Sequence, residues 1–177
     1  MNWQAFLADH LGELVVAGVL LAGSAFCSGT ETAMFSLSRG RLIRLGQAGG
    51  AGQLLARMMK APTRLLNTLL LGNMLTHVGY SAMWAVLIID LDRQGAPAGV
   101  TAAASLLPLI LLILLGEALP KTLAMTVSEH WALWTSPVVA VLQRVLGPAL
   151  WLLDRAAIAP MSRLLLPRRQ ADRKSVV

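Results

Sequence analysis

Leu106-Leu107-Pro108-Leu109-Ile110-Leu111-Leu112-Ile113-Leu114-Leu115 runs directly into Gly116-Glu117-Ala118-Leu119-Pro120-Lys121, and this junction decides how the chain is read. The run is apolar enough to span a membrane, yet it ends on a carboxylate. An acid kept inside a span is costly to bury, so it faces the bundle interior or a polar cavity and marks a functional site. Pro120 sharpens the point. In a helix it has no N–H to give the carbonyl four residues back, that of Gly116, and its ring crowds that oxygen. Backbone oxygen is thereby freed beside the acid, and broken helices whose free carbonyls coordinate cations are a recurrent transporter device. The structural alternative is a plain kink, with the carbonyl satisfied by a neighbouring helix or a water and Glu117 paired to Lys121 one turn on.

The rest of the composition agrees with a bilayer. Of 177 residues, 56% are hydrophobic and only 14% charged, far from the balance of an ordinary globular domain. Three to five spans of roughly 20 residues fit, with no room for a sizeable soluble domain. The net charge of +6 does not imply nucleic acid, because the basic residues cluster beside apolar runs, where they set membrane orientation. A single cysteine, Cys27, excludes an internal disulfide framework and a thiol metal site. The first hydrophobic segment opens near Leu11 without a preceding basic region, so it reads as a retained span rather than a signal peptide. No His-Glu-x-x-His pair, nucleophile motif or pair of catalytic acids is present, which argues against an enzyme.

Taken in order, 11–37 is the first expected span. Ser24, Ser28 and Glu31 are spaced by four and three, on one helical face that cannot look at lipid. Glu31 either serves the polar interior or snorkels to the interface, and Gly29 is a point of local unwinding or of close packing. Arg39, Arg41, Arg44, Arg57, Lys60 and Arg64 follow with no acid among them, a cytoplasmic loop of two short interfacial helices with a basic face toward anionic lipid. The second span, 65–89, carries Asn73, Thr76, His77 and Tyr80 on one face. It returns outside at the net-acidic turn around Asp90 and Asp92, and the third, 100–119, comes back in at Lys121. Pro137, Arg144, Gly147 and Pro148 interrupt the following apolar stretch, so 128–160 is expected as juxtamembrane helices in the inner interface. A basic cytoplasmic tail, 161–177, is expected to be disordered. The fold class is thus an all-α integral membrane protein with three transmembrane helices plus interfacial helices, its N-terminus outside and its C-terminus cytoplasmic.

Depth joins the polar groups. Ser28 lies eleven residues before Arg39, and Asn73 nine after Arg64, which places both roughly 13–17 Å from those charges. With Glu117 and the Gly116 carbonyl they form a set of hard oxygen donors, suited to Mg²⁺, Ca²⁺ or Na⁺ rather than zinc or copper. Glu31 is a candidate for compensating charge, and His77 for an ion or proton role.

Ser28-Gly29-Thr30-Glu31-Thr32-Ala33, Ser36-Leu37-Ser38-Arg39, Leu71-Gly72-Asn73 and Gly116-Glu117-Ala118-Leu119-Pro120-Lys121, in that order, resemble the transmembrane (DUF21) domain of the CorC and cyclin M magnesium transporters. The resemblance implies a homodimer in the cell (inner) membrane, exporting Mg²⁺, with Co²⁺ as another divalent substrate, and coupled to Na⁺ entry. It also implies that Ser28, Asn73 and Glu117 hold the ion, with backbone of Gly116 and Gly29 nearby. His77 stands where the family commonly has a further asparagine. The CBS module usual in the family does not follow here, which fits either a truncated form or a stand-alone version lacking nucleotide regulation; a separate cytoplasmic CBS-containing subunit is a candidate partner beside membrane lipid. The competing reading is a non-transporting ion-sensing or scaffolding membrane module.

Overall fold

The computed structural model describes residues 3–153 and 155. Within them the protein is all-α. A short α1 (Trp3–Asp9) precedes α2 (Leu11–Phe35), the hairpin α3 (Arg39–Gln47) and α4 (Gly50–Met58), and the long α5 (Pro62–Arg93). After a turn come α6 (Ala98–Leu111), a π-helical segment (Leu112–Ala118), α7 (Leu119–Thr126) and α8 (Ser128–Leu153).

Local chemistry sets these boundaries. Pro62 opens α5 at a position where its missing N–H has no intrahelical role. The Ser38 side chain accepts from the Arg41 amide to cap α3. Gly49 and Gly50 turn the chain at φ of 82° and 55°, which only glycine adopts without strain, and so fold α4 back on α3.

α2 and α5 pack antiparallel along a seam of small residues. A Cβ on Gly23 would lie 2.9 Å from Thr76 Cγ2, one on Gly72 3.2 Å from Cys27 Sγ, and one on Gly79 3.1 Å from Leu20 Cδ1. Glycine lets the backbones approach, which is how membrane helices associate when lipid offers no hydrophobic drive. The buried apolar cluster sits at one end of this pair, where Met34, Leu55, Leu65, Leu69, Ala132 and Val139 meet from α2, α4, α5 and α8. Large apolar side chains such as Val19, Met74, Val78 and Leu106 point outward along the spans.

Two expectations are corrected. Four helices, not three, are long and apolar enough to cross a membrane: Leu11–Phe35, Pro62–Arg93, Ala98–Thr126 and Ser128–Leu152. The last of these was expected in pieces but is continuous. Pro137 leaves the Leu133 carbonyl without its helical donor, yet the helix runs on through it; the Thr135 and Ser136 hydroxyls in the same turn donate to the carbonyls of Trp131 and Ala132 at 2.9 and 2.6 Å, which satisfies these two buried hydroxyls. α8 does not run beside its neighbours. Trp131 reaches Gly29 of α2, whereas Leu142 and Leu146 reach Gly72 of α5, which is level with Cys27. About 16 Å or more of helix therefore changes depth little, and α8 crosses the pair obliquely. The third span likewise continues past Lys121 to Thr126. The expected tail, 161–177, lies outside the described residues.

Candidate cation site

One hydroxyl organises the polar interior. Ser24, fully buried on α2, has its Oγ 3.0 Å from Asn73 Oδ1, 2.8 Å from His77 Nε2 and 3.3 Å from the Gly116 carbonyl oxygen. His77 Nε2 in turn stands 3.4 Å from Glu117 Oε1. Three elements meet here: α2 supplies Ser24, α5 supplies Asn73 and His77, and the π-helical segment supplies Gly116 and Glu117.

The close approach has a steric cause. A Cβ on Gly116 would lie 3.0 Å from Ser24 Oγ, 3.2 Å from Leu112 Cδ1 and 3.4 Å from Leu21 Cδ1, so only glycine brings this backbone against α2. The wide π turn shifts the register between α6 and α7, and such segments are frequent at functional sites. Pro120, buried in the first turn of α7, leaves the Gly116 oxygen without its usual donor. The Ser24 hydroxyl occupies that vacancy.

Proton counting shows what this pocket lacks. A serine hydroxyl has one proton to donate, yet Asn73 Oδ1 and the Gly116 oxygen both face it. When His77 carries its proton on Nδ1, Nε2 becomes a third acceptor. With Nε2 protonated, His77 donates to Ser24, and still only one of the two oxygens is served by the hydroxyl. The carboxylate of Glu117 adds negative charge alongside. Acceptors outnumber donors around one point, an arrangement that a small hard cation satisfies.

The residues expected from the sequence fall into two groups. Asn73, His77, Glu117 and the Gly116 carbonyl are brought together, and Lys121 makes no ion pair with Glu117 among the described residues. Ser28 is not in bonding contact with them. Its Oγ is buried, one turn from Ser24 on the same face, and has no hydrogen-bond partner in the described structure. An enclosed hydroxyl left unpaired costs about 1–3 kcal/mol and calls for a ligand or water. Glu31 is half-buried a turn further along α2. Gly29 is a packing site, not a point of unwinding: α2 is unbroken there, and a Cβ would lie 2.8 Å from Trp131 Cζ2 and 3.4 Å from Pro120 Cβ. Ser24 is the site residue that sequence reasoning passed over, although its spacing from Ser28 placed it on the right face. Among the described residues no three His, Cys, Asp or Glu side chains gather into a metal cluster; the oxygens that meet here are one carboxylate, one hydroxyl, one amide and one backbone carbonyl.

Fold and site together define a multi-pass membrane protein with a polar, acceptor-rich cluster inside its helix bundle. The family model described as the Cyclin M transmembrane N-terminal domain matches residues 15–172, and the chain belongs to that family. It is similar to the UPF0053 inner membrane protein YfjD of Escherichia coli, 33% identical over 132 residues, covering 74% of this chain and 30% of that protein. A UPF0053 protein of Haemophilus influenzae is 30% identical over 141 residues, covering 79% of this chain and 33% of its own length. The UPF0053 protein YhdT of Bacillus subtilis is 28% identical over 160 residues, 84% of this chain and 35% of its own. The chain spans about a third of the length of these relatives.

Proposed function

We propose that the protein carries Mg²⁺ across the inner membrane, outward from the cytoplasm, with Co²⁺ as a further substrate and Na⁺ as the coupling ion. The observation that carries this reading is the surplus of acceptors around the Ser24 hydroxyl, with the Glu117 carboxylate beside it.

Ser24 Oγ, Asn73 Oδ1, the Gly116 oxygen and the Glu117 carboxylate act as the donor set, and Ser28 Oγ, one turn away, is the unpaired oxygen on the approach. An entering cation becomes the positive partner of these oxygens, and Ser24 keeps its proton, which turns to His77 Nε2 with the imidazole protonated on Nδ1. His77 then leaves Glu117, whose charge turns to the cation. Mg²⁺ gives up water reluctantly, so it keeps part of its shell in this small donor set, with Glu31 compensating charge at longer range. The basic loop from Arg39 to Arg64 supports a cytoplasmic α3–α4 hairpin and hence an external N-terminus, and with α8 lying obliquely instead of crossing the membrane, the C-terminus is inside. A homodimer, and a cytoplasmic CBS-containing region or subunit as regulator, belong to the same reading through the family.

Reconstituted vesicles loaded with a Mg²⁺ indicator test it. Wild-type protein is expected to move Mg²⁺ down an imposed gradient, and Glu117→Gln to abolish that flux without loss of folded protein. Equal flux in both rejects the assigned site. Mg²⁺-dependent thermal stabilisation without any flux identifies a sensing or scaffolding module instead.

A further inference from the structure

We propose that the α3–α4 hairpin holds one anionic phospholipid of the cytoplasmic leaflet, its phosphate between Arg39 and Lys60 and an acyl chain in the groove between the helices. This surface is separate from the Ser24 cluster, and neither depends on the other.

The groove encloses about 380 Å³ and is bordered by Leu42, Ile43, Ala56 and Met59, with Arg39 and Lys60 at its edge. Leu45, Gly52, Leu55 and Met58 are the residues that α3 and α4 bury; the groove borders that face, with Leu42 and Met59 half-buried against the core cluster and Ile43 opening it outward. Ile43 is 64% exposed. A Cβ on Gly46 would lie 3.1 Å from Ala56 Cβ, and Gly52 abuts the Leu45 backbone. That antiparallel register brings Arg39, at the start of α3, to the same end as Lys60, just after α4.

Charge decides the occupant. From Arg39 to Arg64 there is no acid. Arg44 alone is neutralised, by Glu129 at 3.1 Å, and Arg39 and Lys60 have no ion pair among the described residues. They stand where the hairpin joins α2 and α5, through the short links 36–38 and 59–61, at the headgroup edge of the spans. An apolar trough closed at one end by an arginine and a lysine matches an amphiphile with one anionic end. Arginine offers its fork to phosphate oxygens and lysine a point charge. An acidic peptide would need partners along its whole length, which the groove does not offer.

The test is thermal unfolding and native mass spectrometry of the full chain in phosphatidylcholine nanodiscs, titrated with phosphatidylglycerol. Wild-type protein is expected to rise in melting temperature and to retain a bound phosphatidylglycerol. Arg39→Gln with Lys60→Gln should weaken that binding by about tenfold or more. Arg41→Gln with Arg57→Gln removes the same charge outside the groove and should leave it nearly intact. Ala56→Trp, which fills the trough and keeps every cation, should abolish retention while melting as wild type in pure phosphatidylcholine; if its melting falls, Ile43→Gln, which makes the trough polar without changing its charge, replaces it. Equal losses in the two charge-removing doubles, retention in the filled groove, or a full response to inorganic phosphate alone would overturn the proposal. So would no response to phosphatidylglycerol, the outcome expected if a protein segment covers this face.

Discussion

Ser24 Oγ on α2 lies 2.8 Å from His77 Nε2 on α5, closer than any other neighbour in the cluster. The contact crosses the glycine seam where α2 and α5 approach, and through His77 it joins α2 to Glu117 on the third long helix. A single hydroxyl thus links three segments far apart in sequence.

Replacing that hydroxyl separates its roles. Ser24→Ala leaves Asn73 Oδ1 and the Gly116 oxygen without their shared donor, at a cost of about 1–3 kcal/mol to the ion-free protein. Ser24→Thr keeps the oxygen and is expected to retain cation binding. Thermal unfolding with and without Mg²⁺ should show a lower melting temperature and a reduced Mg²⁺ shift for Ala. An undiminished shift in Ser24→Ala would remove Ser24 from the donor set.

Glycines along α2 give a contrast in sterics. Gly29→Ala brings a methyl to 2.8 Å from the Trp131 ring, a rigid neighbour held by its own packing, whereas Gly18 has nothing within 4 Å. Overpacking of this kind costs about 1–3 kcal/mol. Denaturation of the two alanine variants in the same detergent should show Gly29→Ala destabilised by that amount and Gly18→Ala close to wild type. Equal stability would show that α8 can shift away from α2 without loss.

The end of the bundle where α1 meets α5 carries a pH-sensitive clasp. His10, between α1 and α2, has Nδ1 2.9 Å from the Phe6 carbonyl and Nε2 3.0 Å from Asp90 Oδ2. Both partners are acceptors, so the geometry asks for both ring N–H groups and therefore the imidazolium. The Phe6 carbonyl, then Asp90, raise the His10 pKa above 6.5, with Glu13 adding a little and burial opposing. A raised folded pKa gives stability that is fully present below 6.5 and is lost as pH climbs through the folded value. Hydrogen exchange of α1 amides is expected to quicken as pH rises through that window, beyond the intrinsic rate change. In Asp90→Asn this additional quickening should shrink; an unchanged profile would count against the clasp.

How much of this the sequence showed depends on what each residue advertises. Glu117 and the Gly116 carbonyl were legible because a carboxylate and a proline are conspicuous in an apolar run, and Asn73 because its amide has no reason to face lipid. Depth read from residue counts resolves only about a turn, so Ser28 and Ser24 could not be ranked, and the shorter contact belongs to Ser24. His77 is a candidate for an ion or proton role from its place in the span, but its contacts to Ser24 and Glu117 show only once α5 is set against α2 and the third helix. The prolines of α8 looked like breaks because local rules disfavour them, but packing against α2, α4 and α5 carries the helix through. The π-helical segment has no composition of its own, being a register mismatch between two helices that pack independently.

That mismatch can be removed. Deleting Leu115 shortens Leu112–Ala118 by one residue, the difference between a π turn and an α turn. A π turn and an α turn each complete one turn, so the deletion leaves the facing of α6 and α7 nearly unchanged and closes the bulge between them. With α7 held by Pro120 and Ala124 in its packed face, the adjustment falls on the segment that aims Glu117 and the Gly116 carbonyl. The deletion variant is expected to remain helical by circular dichroism but to lose the Mg²⁺-dependent rise in melting temperature. Insertion of an alanine after Leu111, by contrast, turns only α6 and should keep more of that response. If the deletion variant binds Mg²⁺ as wild type does, the widened turn does not aim the acid, and Gly116 alone accounts for the approach to Ser24.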